Sequence, residues 1–186
     1  MRKILLAALI GAVLQFIWGF LFWGFMPLGK SAVSEIPNQS EIMEFLDGKF
    51  EKSGVYYFPM REAGQSEADY MEDHKIGPLG TIFFHKGGED MMAPGTFING
   101  FIHFFISTVL MGLLLAMAMP GAEKFSSRYG FVLLAGVFAL YFELFVYPIW
   151  WYHSSGYYII TGIFDLVCWL LAGIPLAALI KPSTKS

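Results

Sequence analysis

The sequence predicts an all-α membrane protein: a bundle of four transmembrane helices with a small extracytoplasmic α+β cap between helices 1 and 2. Three observations support this fold class. Of the 186 residues, 56% are hydrophobic and only 15% are charged. The charges are clustered, which leaves four long stretches almost free of them and is typical of membrane segments joined by hydrated loops. Tryptophan and tyrosine side chains stand near the ends of those stretches, as in the aromatic belts of membrane proteins.

The first apolar stretch, residues 4–26, contains no charged residue. At about 1.5 Å per residue it is long enough to cross a bilayer core. Arg2 and Lys3 precede it, as in a signal peptide, but the stretch is too long for one and no small-residue cleavage site follows. We therefore expect a retained helix. The three further spans are predicted at residues 97–119, 129–151 and 157–180.

Small residues and prolines indicate how these helices pack and bend. Small residues four apart let helix backbones approach closely. Such pairs are Gly112 with Ala116, Ala135 with Ala139, and Gly173 with Ala177. Proline removes a helix hydrogen bond, so Pro148 and Pro175 are expected to bend the third and fourth helices near their ends.

The basic residues outside the cap predict the orientation. In a four-span arrangement all of them fall on one side: Arg2, Lys3, Lys124, Arg128, Lys181 and Lys185. The short loop 153–156 on the other side has no lysine or arginine. The positive-inside rule therefore places both termini in the cytoplasm and residues 27–96 outside an inner (plasma) membrane.

The cap is acidic and is predicted to be folded. Residues 27–96 hold 12 acidic and 6 basic side chains, so a protein partner or a cationic ligand is expected to contact this segment. The apolar side chains that would either make that contact or form the cap's own core are Tyr56, Tyr57, Phe83 and Phe84.

Capping residues and β-formers predict the elements of the cap. Asn38 followed by Glu41 reads as a capping box at the start of a helix, and Gly54 as its C-terminal stop. Ser66 is predicted to cap a second helix. That helix and two strands are predicted at residues 66–75, 55–58 and 81–85.

Three ionisable residues inside the last three spans form the candidate site. His103, Glu143 and Asp165 lie at depths of about 9 to 12 Å from the outer helix ends, in one layer. Because a charge there costs about 2.5–3.5 kcal/mol, we predict that the three side chains face one another within the bundle. Polar neighbours expected at this layer are Gln15, Asn99, Ser107, Tyr147 and Thr161.

Three roles are compatible with such a cluster. A histidine between two carboxylates can fix helix register, and then Glu143→Gln should lose stability. The same set, His103, Glu143 and Asp165, suits iron, zinc or manganese, or an embedded ligand or enzymatic site. A proton or ion relay uses these groups too, but the cytoplasmic halves of the spans have almost no ionisable residue to continue the path.

Several classes of function are excluded or disfavoured. No basic stripe suggests nucleic-acid binding. Cys168 is the single cysteine, which excludes an intrachain disulfide and a CxxC site. GxSxG, HExxH and P-loop motifs do not occur, so serine hydrolysis and nucleotide use are not expected.

Across most of its length the chain resembles a group of bacterial four-helix inner-membrane proteins with a large first outer loop and no established activity. The matching segments are Phe16-x-Trp18-Gly19 with Trp23, Pro37-Asn38, residues 54–59, residues 77–80, and Ala93-Pro94 leading into Phe97 and Gly100-Phe101. The resemblance implies topology and not mechanism. The layout is also similar to that of claudins, but their loop tryptophan motif and cysteine pair do not occur in residues 27–96.

The sequence thus favours a non-enzymatic membrane protein of accessory, assembly or binding type, surrounded by lipid and compatible with oligomers. The alternative is an embedded metal or ligand site, enzymatic or not, on His103, Glu143 and Asp165. Transport of ions or protons is the third choice, because four helices without a broken-helix repeat give a monomer no alternating-access path.

Overall fold

The computed structural model describes residues 1–118 and 123–182. It contains four helices that are long and apolar enough to cross a membrane: Arg2–Phe25, Pro94–Met117, Phe125–Trp150 and Ser155–Leu179. These helices coincide with the four spans predicted from the sequence to within a few residues, which is the usual uncertainty of helix ends. The predicted end of the second span at residue 119 and the basic residue Lys185 lie outside the described residues.

The first long helix consists of α1 (Arg2–Gly19) and a π-helical turn, Phe20–Phe25. Within that turn Phe22 is fully buried, with its ring 5.3 Å from that of Phe164. A short helix, α2 (Pro27–Lys30), follows and folds back on this turn. A side chain at Gly29 would collide with the carbonyl oxygen of Phe22, so the close approach requires glycine there.

The third long helix is interrupted near Pro148, where the sequence predicted a bend. Helix α5 (Pro94–Met117) is unbroken, but the next helix divides into α6 (Phe125–Leu144) and α7 (Val146–Trp150). Pro148 has no N–H for the carbonyl of Leu144, and its ring crowds that carbonyl, so the α-helix ends there. The fourth long helix, α8 (Ser155–Leu179), runs through Pro175.

The long helices pack as a row in the order α5, α1, α8, α6. Helix α1 packs extensively against α5 and α8, and α8 against α6, whereas α5 makes only minor contact with α6 and α8. Glycines allow the α6–α8 approach: a side chain at Gly136 would meet the ring of Trp169, and one at Gly173 that of Tyr129. The predicted pair partner Ala139 is exposed instead.

All four long helices meet at the end where α1 begins and α8 ends, called here the terminal end. One apolar cluster joins them there: Ile4, Ala7, Met111, Leu115, Val132, Leu176 and Ile180. The opposite end, called here the cap end, carries the cap, residues 27–93. Thr81 of the cap touches His153 in the loop between α7 and α8.

Besides the short helix α2, the cap contains a two-stranded antiparallel sheet and two longer helices. Strands β1 (Gly54–Phe58) and β2 (Gly80–Phe84) pair with Val55 opposite Phe83 and Phe58 opposite Gly80. Both strands fall where the sequence predicted them. Helix α4 (Glu67–Ile76) also matches its predicted position, and α3 (Gln39–Lys49) begins where a helix was predicted but ends earlier.

The two predicted helix caps have different outcomes. Ser66 caps α4 as predicted, because its extended backbone aims the hydroxyl oxygen at the N–H of Asp69, 3.1 Å away. The capping box at Asn38 is wrong: its backbone is left-handed, with φ 53°, and its side chain makes no cap hydrogen bond.

The predicted helix stop at Gly54 is also wrong. Helix α3 ends at Lys49, and Gly54 is the first residue of β1. Phe50 leaves the helix in an extended conformation and stacks on Tyr56, with ring centroids 3.9 Å apart. Aromatic packing against the sheet therefore ends the helix earlier than glycine would.

Candidate functional site

A cavity of about 690 Å³ lies at the cap end, between α6, α7, the start of α8 and strand β2. It is within the size range of ligand pockets in proteins. Most of its lining residues are polar or aromatic, and they include Thr81, Glu143, Tyr147, Trp151, Tyr152, His153, Tyr157, Tyr158, Thr161 and Asp165. This cavity is the candidate functional site.

Two carboxylates lie on facing helices of this cavity. Glu143 comes from the last turn of α6 and Asp165 from α8, and the two are close enough to interact electrostatically. Ser154 stands midway between them in the sequence, so an antiparallel helix pair brings both to one level. Asp165 is half-buried and Glu143 is exposed towards the cavity. Among the described residues, no basic side chain pairs with either carboxylate.

Three rings that line the cavity with the carboxylates lie close to one another in a triangle. The Tyr147 ring lies 5.5 Å from that of His153 and 5.4 Å from that of Tyr158, nearly parallel to both. The Tyr147 position follows from the break between α6 and α7. Aromatic rings and two anionic groups thus share one cavity, an arrangement that favours cations.

His153 connects the helices to the cap. Its Nδ1 lies 2.8 Å from the hydroxyl oxygen of Tyr158, and its Nε2 lies 3.2 Å from Oγ1 of Thr81. The preceding residue, Tyr152, has a left-handed backbone with φ 57°, which is uncommon for a residue other than glycine. This turn directs His153 back over the cavity, where it joins α8 to β2.

Aromatic contacts seat the cap over the same loop. The ring of Tyr57 meets that of Trp151 edge-on at 5.6 Å, and His74 meets Tyr152 at 5.3 Å. Burial, followed by Tyr70 and Tyr152, raises the pKa of Tyr57 above its ordinary value of 10.0, so its phenol stays protonated at neutral pH. These aromatic contacts hold the cap against the loop, and strand β2 of the cap covers part of the cavity with Thr81 and Phe83.

The predicted cluster is divided by the structure. Glu143, Asp165, Tyr147 and Thr161 line the cavity, whereas His103 and Asn99 are not among its lining residues. His103 is exposed on α5, with its ring against that of Phe104. The sequence gives the depth of a residue along its helix but not the order of the helices. Because α1 lies between α5 and α8, His103 has the predicted depth but lies on a more distant helix.

Gln15 belongs to a separate polar group near the middle of the helices. Its Nε2 donates to the carbonyl oxygen of Cys168 at 3.4 Å, and its Oε1 accepts from the hydroxyl of Thr108 at 2.9 Å. Gln15 and Thr108 are both buried. These bonds link α1, α5 and α8 and satisfy the buried amide, so the group has a structural role.

A compact metal site does not form from these residues. Within residues 1–118 and 123–182, no three His, Cys, Asp or Glu side chains converge closely enough to hold a metal ion. Instead, the cavity offers charge and π-faces spread over a larger volume. This arrangement can hold a cation by electrostatics without direct coordination by several ligands.

His153 is the residue that the sequence-based prediction missed. It lies in a loop outside the predicted spans, where a search for intramembrane charges does not extend. The available signal is its place between two helices that each carry a carboxylate, within the aromatic run from Trp150 to Tyr158.

Comparison with protein-family models, with curated proteins and with solved structures gives no match for this chain.

Proposed function

We propose that the chain is a multi-pass protein of a bacterial inner membrane, a four-helix bundle with both termini in the cytoplasm and the cap outside. Four long apolar helices support the multi-pass arrangement. The clustering of Arg2, Lys3, Lys124 and Lys181 at the terminal end supports the orientation. The resemblance described above supports the bacterial inner membrane.

We propose further that the protein is a non-enzymatic binding component whose cavity takes a small organic cation from the outer side. The observation that carries this proposal is the pairing of Glu143 and Asp165 with five tyrosine and tryptophan rings in one cavity. No described basic side chain neutralises these carboxylates. A bound cation would supply the missing counter-charge.

Physical magnitudes favour this occupant. An unpaired charge within a membrane span costs about 2.5–3.5 kcal/mol, and a bound cation offsets part of that cost. A cation over an aromatic face gains about 0.5–2 kcal/mol more. An ammonium group can interact favourably with the carboxylates and with the aromatic rings at once, whereas the carboxylates repel an anion and a neutral solute leaves them without a counter-charge.

The test is calorimetric titration of the detergent-solubilised protein with butylammonium, using butyrate as the anion of matched size. We expect butylammonium to bind and butyrate not to bind. Glu143→Gln and Asp165→Asn should each weaken binding by about tenfold, or about 1.4 kcal/mol. Glu89→Gln, which removes one exposed cap carboxylate outside the cavity, should leave binding unchanged. The proposal would be wrong if Glu89→Gln weakened binding equally, or if butyrate bound as tightly as butylammonium.

A second candidate function is an accessory role in which the cap contacts a protein partner. Its support is the charge of the cap: 12 acidic and 6 basic side chains in residues 27–96. Tyr56 and Phe84 pack on Phe50 within the cap, which leaves Val55 and Phe83, exposed by 64% and 69%, as apolar contact points. Native mass spectrometry after gentle extraction tests it. A second protein in the complex that Val55→Ser removes supports this role, because Val55 does not line the cavity. A bare chain in mild detergent opposes it.

The remaining predictions stay as alternatives. A metal at His103, Glu143 and Asp165 would require α5 to approach α8 and α6 more closely, and metal analysis of the wild type against His103→Ala tests it. Ion or proton transport would need a path from the cavity towards the terminal end, where Gln15 and Thr108 form the next polar layer.

A further inference from the structure

An apolar groove adjoins the cation cavity on the side of α6 that faces away from the other helices. It has a volume of about 610 Å³ and is lined by Phe138, Ala139, Phe142, Glu143, Val146 and Tyr147. Glu143 and Tyr147 line the cavity and the groove together. The polar cavity therefore continues sideways into an apolar surface, and Glu143 stands at the junction.

This groove faces the surroundings of the helices and not their interior. Phe138 and Phe142 are exposed by 71% and 72%, on the side of α6 that does not pack against α8. If α6 crosses a membrane, lipid chains cover that side. A molecule already dissolved in the membrane can then reach Glu143 from the side, without passing the cap contacts at Trp151 and His153.

We propose that the ligand of the cavity is a membrane-resident amphiphile whose cationic head lies between Glu143 and Asp165 and whose hydrocarbon tail lies in the groove along α6. This inference rests on the proposed cation site and names its substrate class. Charge complementarity at Glu143 fixes the head, and Phe138, Phe142 and Val146 provide the apolar path for the tail.

The proposed ligand differs from a water-soluble amine in its long hydrocarbon chain. Each methylene group moved from water into apolar surroundings is favourable, so affinity should rise with chain length as long as the groove has room. If the cavity binds only a small solute, affinity should not rise with chain length. Long chains also partition into detergent micelles, which changes their apparent affinity for every variant. Differences between protein variants in one detergent cancel that uptake.

The experiment is native mass spectrometry of the full chain in detergent with butylammonium, dodecylammonium and dodecanoate. Ala139→Trp fills the groove one helical turn from Glu143, so butylammonium binding by this variant also checks that the carboxylate is undisturbed. Leu134→Trp is its matched control, because Leu134 is 71% exposed on α6 and does not line the groove. We expect dodecylammonium to bind at least tenfold more tightly than butylammonium to the wild type and to Leu134→Trp. In Ala139→Trp this preference should disappear while butylammonium binding persists.

The outcomes separate the two proposals. Butylammonium binding that depends on Glu143 but shows the same chain-length effect in Ala139→Trp and Leu134→Trp overturns the amphiphile and leaves the small-cation proposal intact. Absence of binding by either amine overturns both proposals. Dodecanoate binding as tight as that of dodecylammonium overturns the role of the cationic head.

Discussion

At the terminal end, Leu115, Val132 and Leu176 are fully buried in one cluster that joins all four long helices. At the cap end, helices α6 and α8 instead border a cavity of about 690 Å³. The same helices thus carry a closed apolar contact at one end and an open, polar contact at the other. Close packing provides stability, and the cavity end gives up part of that packing to create space.

The two ends also treat charge in opposite ways. Arg128, near the terminal end, is buried and donates from Nε to the carbonyl oxygen of Ala177 at 2.7 Å and from a guanidinium nitrogen to the carbonyl of Glu123. Glu143 and Asp165 have no basic partner among the described residues. A buried charge with hydrogen-bond partners stabilises the fold, whereas an unpaired charge within a span indicates a possible binding site.

The largest expected effect is loss of packing at the terminal end. Leu115→Ala removes a fully buried side chain of α5, which should lower the free energy of unfolding by about 2–5 kcal/mol. Leu110→Ala is the matched control, since Leu110 lies on the same helix and is 57% exposed. Unfolding in sodium dodecyl sulfate measures both. Similar losses for the two variants would show that the terminal cluster is not a tight core.

Smaller effects on the free energy of unfolding, opposite in sign to each other, are expected from substitutions of Glu143 and Arg128. Glu143→Gln should leave the free energy of unfolding unchanged or raise it by up to about 1 kcal/mol, because the substitution removes an unpaired charge. Arg128→Gln should lower it by about 1–3 kcal/mol, because backbone carbonyls lose their donors. The same unfolding assay compares the two variants. If Glu143→Gln is the more destabilising, Glu143 is a structural link between helices, as the first of the sequence-based readings holds.

Some parts of the site could be predicted from the sequence and others could not. Helix spans follow from charge-free length, and the common level of Glu143 and Asp165 follows from their equal spacing from Ser154. His103 has the right depth, but the order of helices in the row depends on side-chain packing that no spacing encodes. His153 depends on a left-handed turn at Tyr152, a residue with no sequence preference for that conformation.

The cap shows the same division between local and long-range information. Ser66 caps its helix through a contact three residues away, so local chemistry predicts it. The end of α3 depends on Phe50 meeting Tyr56 and Phe84 across the sheet, and Phe84 is distant in sequence. Local signals therefore place the elements, and tertiary packing sets their ends.

The smallest expected effect is a pH dependence at the seat of the cap. Because burial raises the pKa of Tyr57 above 10.0, a released cap gives up this proton at lower pH than a seated one. The seat should be intact below pH 10 and weaken as pH rises above it. Fluorescence of the tryptophans, which include Trp151 against the Tyr57 ring, should report the change between pH 9 and pH 11 (about one unit either side of the ordinary tyrosine value). Tyr57→Phe should remove most of that response, with Tyr129→Phe at the terminal end as the matched control. An identical pH response in wild type and Tyr57→Phe would show that the cap is not seated through this phenol.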